Sequence, residues 1–335
     1  MVRLANQQIY RRLGYTTMFK ELFIINFHMI NLLDSIQYIM DEKKPHSEIG
    51  FIGLGIMGKP MAKNLIDSGF KVYFFARKQK IIKEMVSYGG KYLNKIKDIS
   101  EKCKVIFLNL PNSKDVKNVV LSKNGLWHSL QKNTIIIDMS TISPETTKEV
   151  SKKLKTKNVF LIDAPVSGGE IGAINGDLSI MVGGNKKIYN KIKSLLSILG
   201  ENITYIGPTG SGQITKSCNQ ILVAGTMVAV SEIFLLAKKS KCNLNLIQKA
   251  LLGGFANSKI LEIHGKRMIK KNYKPGFKAG LHLKDLNIAL NLSRSLNIDL
   301  KSAKYSKKLM LNAVNSGEQN KDSSIINKII QKNNK

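Results

Sequence analysis

The stretch Ile49-Gly50-Phe51-Ile52-Gly53-Leu54-Gly55-Ile56-Met57-Gly58 limits what this chain can fold into more than any other. An apolar, β-branched run ends in G-x-G-x-x-G, and helical periodicity begins at once. Met61, Ala62, Leu65 and Ile66 share one face, and Gly69 closes the helix. In such a strand–turn–helix, Gly53 permits the tight turn, Gly55 lets the backbone approach a pyrophosphate, and Gly58 lets the helix pack on the strand. The backbone from Gly53 through Leu54, Gly55, Ile56 and Met57 to Gly58 then presents N–H groups and a helix dipole to a dinucleotide. A bare glycine triplet also describes an ordinary structural turn. The flanking strand and helix are what favour dinucleotide binding.

The same grammar repeats downstream. Apolar runs at Lys71 to Ala76, Val105 to Leu110, Thr134 to Met139 and Val159 to Ala164 alternate with helical stretches, the pattern of a parallel sheet covered by helices. Two shorter strands are expected at Leu178 to Val182 and Thr204 to Ile206. After Gly212 the strand signals stop. Gln213 to Lys239 reads as one helix of about 40 Å, apolar nearly all round, and therefore as a spine buried between two bodies. Glu232 and the shortness of the uncharged run Ile221 to Val230 argue against a membrane span. Helical segments such as Leu244 to Leu252 and Lys284 to Leu296 follow. The expected class is α/β: a Rossmann-type doubly wound sheet over residues 48–209, then an all-helical domain over 210–330, joined by the long interdomain helix.

Residues 1–47 fit neither part. They combine basic residues with an apolar stretch, Leu22 to Leu33, broken by Asn26, His28 and Asn31. An organelle transit segment, an added amphipathic helix and an over-long start with Met40 as the natural beginning all remain open.

Nucleotide choice turns on the end of the second strand. NAD binders place a carboxylate there for the ribose hydroxyls, whereas this chain has Phe75-Ala76-Arg77-Lys78. Arg77 and Lys78 could pair with a 2′-phosphate, which favours NADP over NAD, although two more surface cations in a lysine-rich chain would look the same. The other strand ends, Leu110-Pro111-Asn112, Ser140-Thr141 and Pro165 to Gly169, face the same side of the sheet. Thr141 can reach the nicotinamide half there or simply cap the helix that starts at Pro144.

A formal charge of +30 over 335 residues would ordinarily point to an anionic partner. Only six of the 53 basic residues are arginine, and the lysines are scattered, so solvated surface charge explains them better than a nucleic-acid or membrane face. Cys103, Cys218 and Cys242 show no pairing or zinc spacing, and the five histidines show no ligand pattern, so no metal is expected. A reducing compartment follows: the cytoplasm, or the mitochondrial matrix if residues 1–47 are a transit peptide.

Two further clusters can carry chemistry. Ser167-Gly168-Gly169 offers a hydroxyl and two unhindered N–H groups for a substrate carboxylate, or is a plain turn. Lys216 and Asn219 lie three residues apart near the start of the spine helix, on one face. A lysine buried between domains has its pKa lowered towards the range useful for proton transfer, whereas at an exposed helix start it is only one more surface charge.

The segments Gly50 to Leu65, Asp163 to Gly184, Gly210 to Gln220 and Lys284-Asp285-Leu286, in that order, resemble the β-hydroxyacid dehydrogenase family, from about residue 48 to 325. The resemblance implies that Lys216 is the general acid and base, that Asn219 orients substrate, and that Ser167, Gly168 and Gly169 hold its carboxylate. It also implies that Thr141 and Lys284 contact the cofactor. Asp163 to Glu170, Lys274-Pro275-Gly276-Phe277 and Leu281 to Leu286 look most like the members that reduce 2-hydroxy-3-oxopropanoate to D-glycerate, with 3-hydroxyisobutyrate oxidation as the alternative. The family forms dimers or tetramers, which implies a homo-oligomer here. A cofactor-binding or nucleic-acid protein without turnover is the rival from another class. The N-terminal extension and Ala76, where many relatives carry Asn or Asp, depart from the family pattern.

Overall fold

The structure, a computed structural model, describes residues 47–334, so the expectations placed on residues 1–46 lie outside the described residues. The leading strand, β1 (Glu48–Ile52), is followed by β2 (Lys71–Phe75), β3 (Lys91–Tyr92), β4 (Val105–Leu108), β5 (Ile135–Asp138) and β6 (Phe160–Asp163). These pair in the order β3-β2-β1-β4-β5-β6, all parallel, so the chain reverses its direction of travel between β1 and β4. β4 and β5 are buried at every position because helices cover both faces. Ile106, Leu108 and Ile136 pack with Ile99, Val116 and Val150. Phe51 and Phe107, in register on β1 and β4, stack with ring centroids 5.8 Å apart.

Beyond β6 the sheet departs from the purely parallel expectation. β7 (Val166–Ser167) and β8 (Ser179–Gly183) form an antiparallel pair, β8 runs antiparallel to β6, and β9 (Asn202–Gly207) lies parallel to β8. The short strands β3 and β7 give no period-two signal, since two residues cannot alternate. The expected strands at 178–182 and 204–206 are present as β8 and β9.

The spine helix, Ser211–Lys239, begins four residues after β9. By length and composition it could cross a membrane. Its surroundings make it the core helix of a folded body instead. It packs on β8 at its start and on the helices Ala279–Ser295, Lys301–Ala313 and Ile326–Asn333 further along. Ala224, Met227, Phe234, Leu286, Met310 and Ile326 form their shared core. Gln213, Lys216, Ser217, Gln220 and Ser231 are buried polar groups on the same helix. After β9 the described chain is helical apart from one isolated bridge between Lys278 and Asp322.

Candidate active site

The glycine turn has the geometry its sequence requires. Gly53 sits at φ +106°, and a Cβ there would lie 2.2 Å from the Asn109 carbonyl oxygen. A Cβ on Gly58 would come within 1.9 Å of the Gly53 oxygen, so this glycine is a packing requirement. Around Gly55 nothing approaches a Cβ within 4 Å. The turn thus keeps one glycine facing open space, at the start of the helix Gly58–Asp67, which has no capping side chain and no acid in its first turn. That is the cradle a pyrophosphate needs.

The neighbouring strand ends line up beside it through backbone register. Ile52 pairs with Phe75 on one side and Leu108 on the other, so Arg77 follows two residues beyond one neighbour and Leu110 and Pro111 just beyond the other. Arg77 and Lys78 are exposed, and among the described residues neither has an ion-pair partner. Leu110 N–H donates to Ser140 Oγ at 2.8 Å, and Ser140 N–H donates to Asp138 Oδ1 at 3.0 Å, which ties the ends of β4 and β5 together. Asp138 is fully buried with Oδ2 unpartnered, and burial pushes its carboxyl up to about 7. Ser143, whose side chain accepts from Thr146 N–H, caps the helix Pro144–Lys155. Thr141 therefore does not serve as the cap.

The spine helix is pinned to these strand ends by side chains that sequence reasoning missed. Asp163, fully buried at the end of β6, accepts N–H bonds from Gly210 (2.8 Å) and Gln213 (3.1 Å), so it satisfies free N–H groups at the helix start from outside, while burial pushes its carboxyl up. Gln213 then grips the Thr141 loop on both sides: its Oε1 accepts from Ile142 N–H at 3.1 Å and its Nε2 donates to the Ser140 carbonyl at 2.8 Å. Asp163 also leads into the Ser167-Gly168-Gly169 loop, where Ser167 is half-buried, Gly168 and Gly169 are exposed, and both glycines hold positive φ. The signal available in sequence was only that Gln213 and Asp163 are polar residues at apolar positions.

One turn after Gln213 comes Lys216, only 7% exposed, with no hydrogen bond or ion pair among the described residues. Burial lowers its pKa to about 8, against the pull of Asp285 and with the help of Lys284. The exposed-lysine reading fails. Its surroundings form a chain of polar contacts. Asn219 Nδ2 donates to Gln220 Oε1 (2.8 Å), Gln220 Nε2 donates to Asp285 Oδ2 (2.6 Å), Asp285 pairs with Lys284 (2.9 Å), and Lys284 Nζ donates to the Thr141 carbonyl. The expected cofactor contacts Thr141 and Lys284 are thus brought together directly, and the expected proton carrier sits beside them. Thr215 and Ser217, in contrast, bond back to their own helix, to the Ser211 and Gln213 carbonyls. His282, fully buried, donates from Nε2 to the Gln220 carbonyl at 3.1 Å; burial lowers its pKa, so it stays a neutral donor.

Two family models cover this architecture end to end: the NAD binding domain of 6-phosphogluconate dehydrogenase over residues 48–207, and the NAD-binding part of NADP-dependent 3-hydroxyisobutyrate dehydrogenase over 210–330. The 2-hydroxy-3-oxopropionate reductase of Escherichia coli is 41% identical over 280 residues, covering 83% of this chain and 96% of that protein. This chain belongs to the β-hydroxyacid dehydrogenase family. Another relative is the probable 3-hydroxyisobutyrate dehydrogenase-like 1, mitochondrial, of Arabidopsis thaliana, 33% identical over 82% of each chain. Among solved structures, the Mycobacterium tuberculosis 3-hydroxyisobutyrate dehydrogenase with L-serine matches with a TM-score of 0.77 at 25% identity, over 84% of this chain and 98% of that one. The protein is accordingly an oxidoreductase of this family using NAD or NADP, with a small hydroxy acid as substrate. The glycine turn, with Gly55 open and Gly58 closed, fits that nucleotide.

Proposed function

We propose that this dehydrogenase reduces 2-hydroxy-3-oxopropanoate to D-glycerate, reversibly, with Lys216 as the general acid of reduction and the general base of oxidation. The observation that carries the reading is Lys216 itself: a buried, unpaired lysine, its pKa lowered to about 8, beside the Thr141–Lys284 contact. When bound, the nicotinamide supplies or accepts the hydride at the substrate carbon. In reduction Lys216 gives its proton to the oxygen that becomes the new hydroxyl, and in oxidation it takes that proton back. Ser167 and the N–H groups of Gly168 and Gly169 hold the substrate carboxylate, and Asn219 orients its hydroxyl. Leu54, Ile56 and Met57 contribute backbone to the nucleotide turn, and Arg77 with its exposed guanidinium favours a 2′-phosphate, hence NADP.

The substrate is supported by the 41% identity to the Escherichia coli reductase over nearly its whole length. The same residues serve 3-hydroxyisobutyrate, the reading favoured by the family model over the helical part and by the Arabidopsis relative. Oxidation of D-glycerate against 3-hydroxyisobutyrate, each with NAD and NADP, decides between them. The highest rate is expected for D-glycerate with NADP. A higher rate with 3-hydroxyisobutyrate would reverse the substrate, and absence of turnover with either would restore the inactive-binder reading. An apolar groove between the spine helix and Ala279–Ser295, where Leu222, Leu296 and Ile298 are exposed, supports a homodimer or homotetramer. Light scattering at a range of concentrations measures that.

A further inference from the structure

Far along the sequence from every residue placed at the site, Asp322 is fully buried and surrounded by donors. Its Oδ2 accepts the backbone N–H groups of Gly276 and Phe277, each at 3.1 Å. Its Oδ1 accepts from Ser324 N–H (3.1 Å) and Ser324 Oγ (2.6 Å). His264 Nδ1 stands 3.3 Å and Arg267 3.5 Å from the two oxygens. Burial alone would push this carboxyl up; His264, Ser324 and the Phe277 N–H hold it well below the usual carboxylate range. The backbone on either side repeats the attachment. Asp322 N–H donates to the Tyr273 carbonyl, Ser323 N–H to Phe277, and Ala279 N–H to Lys321, around the bridge between Lys278 and Asp322.

The segment held in this way, Tyr273 to Lys278, carries Phe277. Its ring lies 5.3 Å from that of His282, tilted by 51°. His282 donates to the Gln220 carbonyl, and Gln220 binds Asp285 through its side chain. A single buried carboxylate thus fixes the loop whose aromatic ring backs the His282–Gln220–Asp285 wall of the Lys216 site. A helix-capping aspartate needs one or two N–H groups. Asp322 does cap the short turn Ser323–Ile325 through Ser324, but it also draws in two amides from a loop some 45 residues earlier in sequence, which a cap does not require.

We propose that Asp322 is a positioning residue for substrate binding. It sets the Lys274–Lys278 loop so that Phe277 presses His282, and with it the Gln220–Asp285 pair, into the arrangement that receives the hydroxy acid beside Lys216. It touches neither substrate nor nucleotide. The inference rests on the reading of Lys216 as the proton carrier, because that reading locates the site.

The test is steady-state kinetics of Asp322→Asn, Phe277→Leu and the double variant, with the hydroxy acid and the nucleotide varied separately. Misplacing reacting groups by about an ångström costs up to about a hundredfold, so kcat/KM for the hydroxy acid should fall about ten- to a hundredfold, mostly through KM. KM for the nucleotide should stay within about twofold, since the glycine-turn cradle is untouched. The two substitutions should be strongly non-additive, because the carboxylate acts through the ring. A role confined to stability would lower the active fraction, reducing kcat with both KM values unchanged, and that result overturns the proposal. So does full additivity. If Asp322→Asn does not fold, Ser324→Ala, which removes the hydroxyl bond to Oδ1 and leaves the charge in place, is read by the same criteria. Lys216→Ala run alongside separates the two readings. An inert Lys216→Ala with an unaltered KM in Asp322→Asn removes only the positioning role, whereas an active Lys216→Ala removes the site.

Discussion

The proposed nucleotide side and the proposed substrate side of this molecule are built from different materials. At the ends of β1, β2, β4 and β5 the working surface is backbone: glycines that leave room, strand ends set by register, N–H groups at a helix start. Along the spine helix and Ala279–Ser295 it is side chain: the unpaired Lys216, and beside it Asn219, Gln220, His282, Lys284 and Asp285, all buried or half-buried, the last five joined by hydrogen bonds and an ion pair. A backbone site tolerates changes of side chain except where a Cβ intrudes. A buried polar network fails when one member is removed, because its partner is left without a bond in low dielectric.

The largest expected effect lies on the substrate side. Lys216→Ala should lower kcat by about a hundred- to ten-thousandfold and leave nucleotide affinity nearly unchanged, as measured by turnover and by fluorescence titration with the reduced nucleotide. An active Lys216→Ala enzyme would erase the contrast between the two sides.

The nucleotide side makes its own internal comparison. Gly58→Ala forces a Cβ to 1.9 Å from the Gly53 oxygen and should destabilise the fold by about 1–3 kcal/mol, whereas Gly55→Ala meets no atom within 4 Å. Gly55→Ala is therefore expected to keep its melting temperature and lose nucleotide affinity, about tenfold or more, because the methyl group fills the space the pyrophosphate uses. Thermal melting with and without nucleotide distinguishes the two variants. Equal destabilisation would mean that Gly55 is a packing glycine too.

Proton transfer gives the substrate side a pH signature. Lys216 loses its proton near pH 8, below its ordinary value because it is buried, and Asp285, Lys284 and His282 are the titratable groups that face it. Reduction needs the protonated form and should fall about tenfold per pH unit above 8; oxidation needs the neutral form and should rise up to 8 and then level off. Parallel profiles in the two directions would exclude Lys216 as the carrier. The same burial has a stability sign. With a folded pKa of about 8 against 10.5 unfolded, the unfolded chain binds more protons between those values, so stability rises with pH there and the full cost is present below 8. Lys216→Met should therefore stabilise the fold at pH 7 by up to roughly 3 kcal/mol, with the gain disappearing above about pH 10.5, as read from denaturant midpoints at both pH values.

The two sides also differ in how far they were legible. The glycine turn, the strands β1, β2, β4, β5 and β6 and the spine helix follow from local patterns: short apolar runs, period 3.6, and glycines between them. The turn's geometry is set by that same pattern, which is why Gly53 turns tightly, Gly55 faces open space and Gly58 packs closely. Lys216 was ambiguous because one lysine among so many carries no signal of burial until its helix is packed. Asp163 and Gln213 showed only as polar residues at apolar positions, and Gln220 and His282 gave no sign of their roles. Each owes its role to a partner 47 to 73 residues away in sequence, or to an element whose position depends on the whole fold. The antiparallel turn at β7 and β8 escaped for a related reason, since parallel and antiparallel strands share one periodicity.

The smallest expected effect is at the edge of the nucleotide side, where the backbone rule should give way to a side chain. Arg77 follows β2 directly after Ala76, which stands where a carboxylate would select NAD, and it is exposed and without an ion-pair partner among the described residues. An exposed guanidinium meeting a 2′-phosphate gains a charge-assisted, partly screened contact, so Arg77→Ala should raise KM for NADPH by about three- to tenfold and leave NADH and kcat unchanged. Lys78, next in sequence and also exposed, should share the load, making the double substitution more severe than either alone. High salt should mimic the substitution in the unaltered enzyme, because an exposed ion pair is screened over a Debye length of about 10 Å at 0.1 M. If NADPH and NADH respond alike to Arg77→Ala, the arginine is surface charge, and the choice between the nucleotides rests with the backbone that made the rest of this side readable.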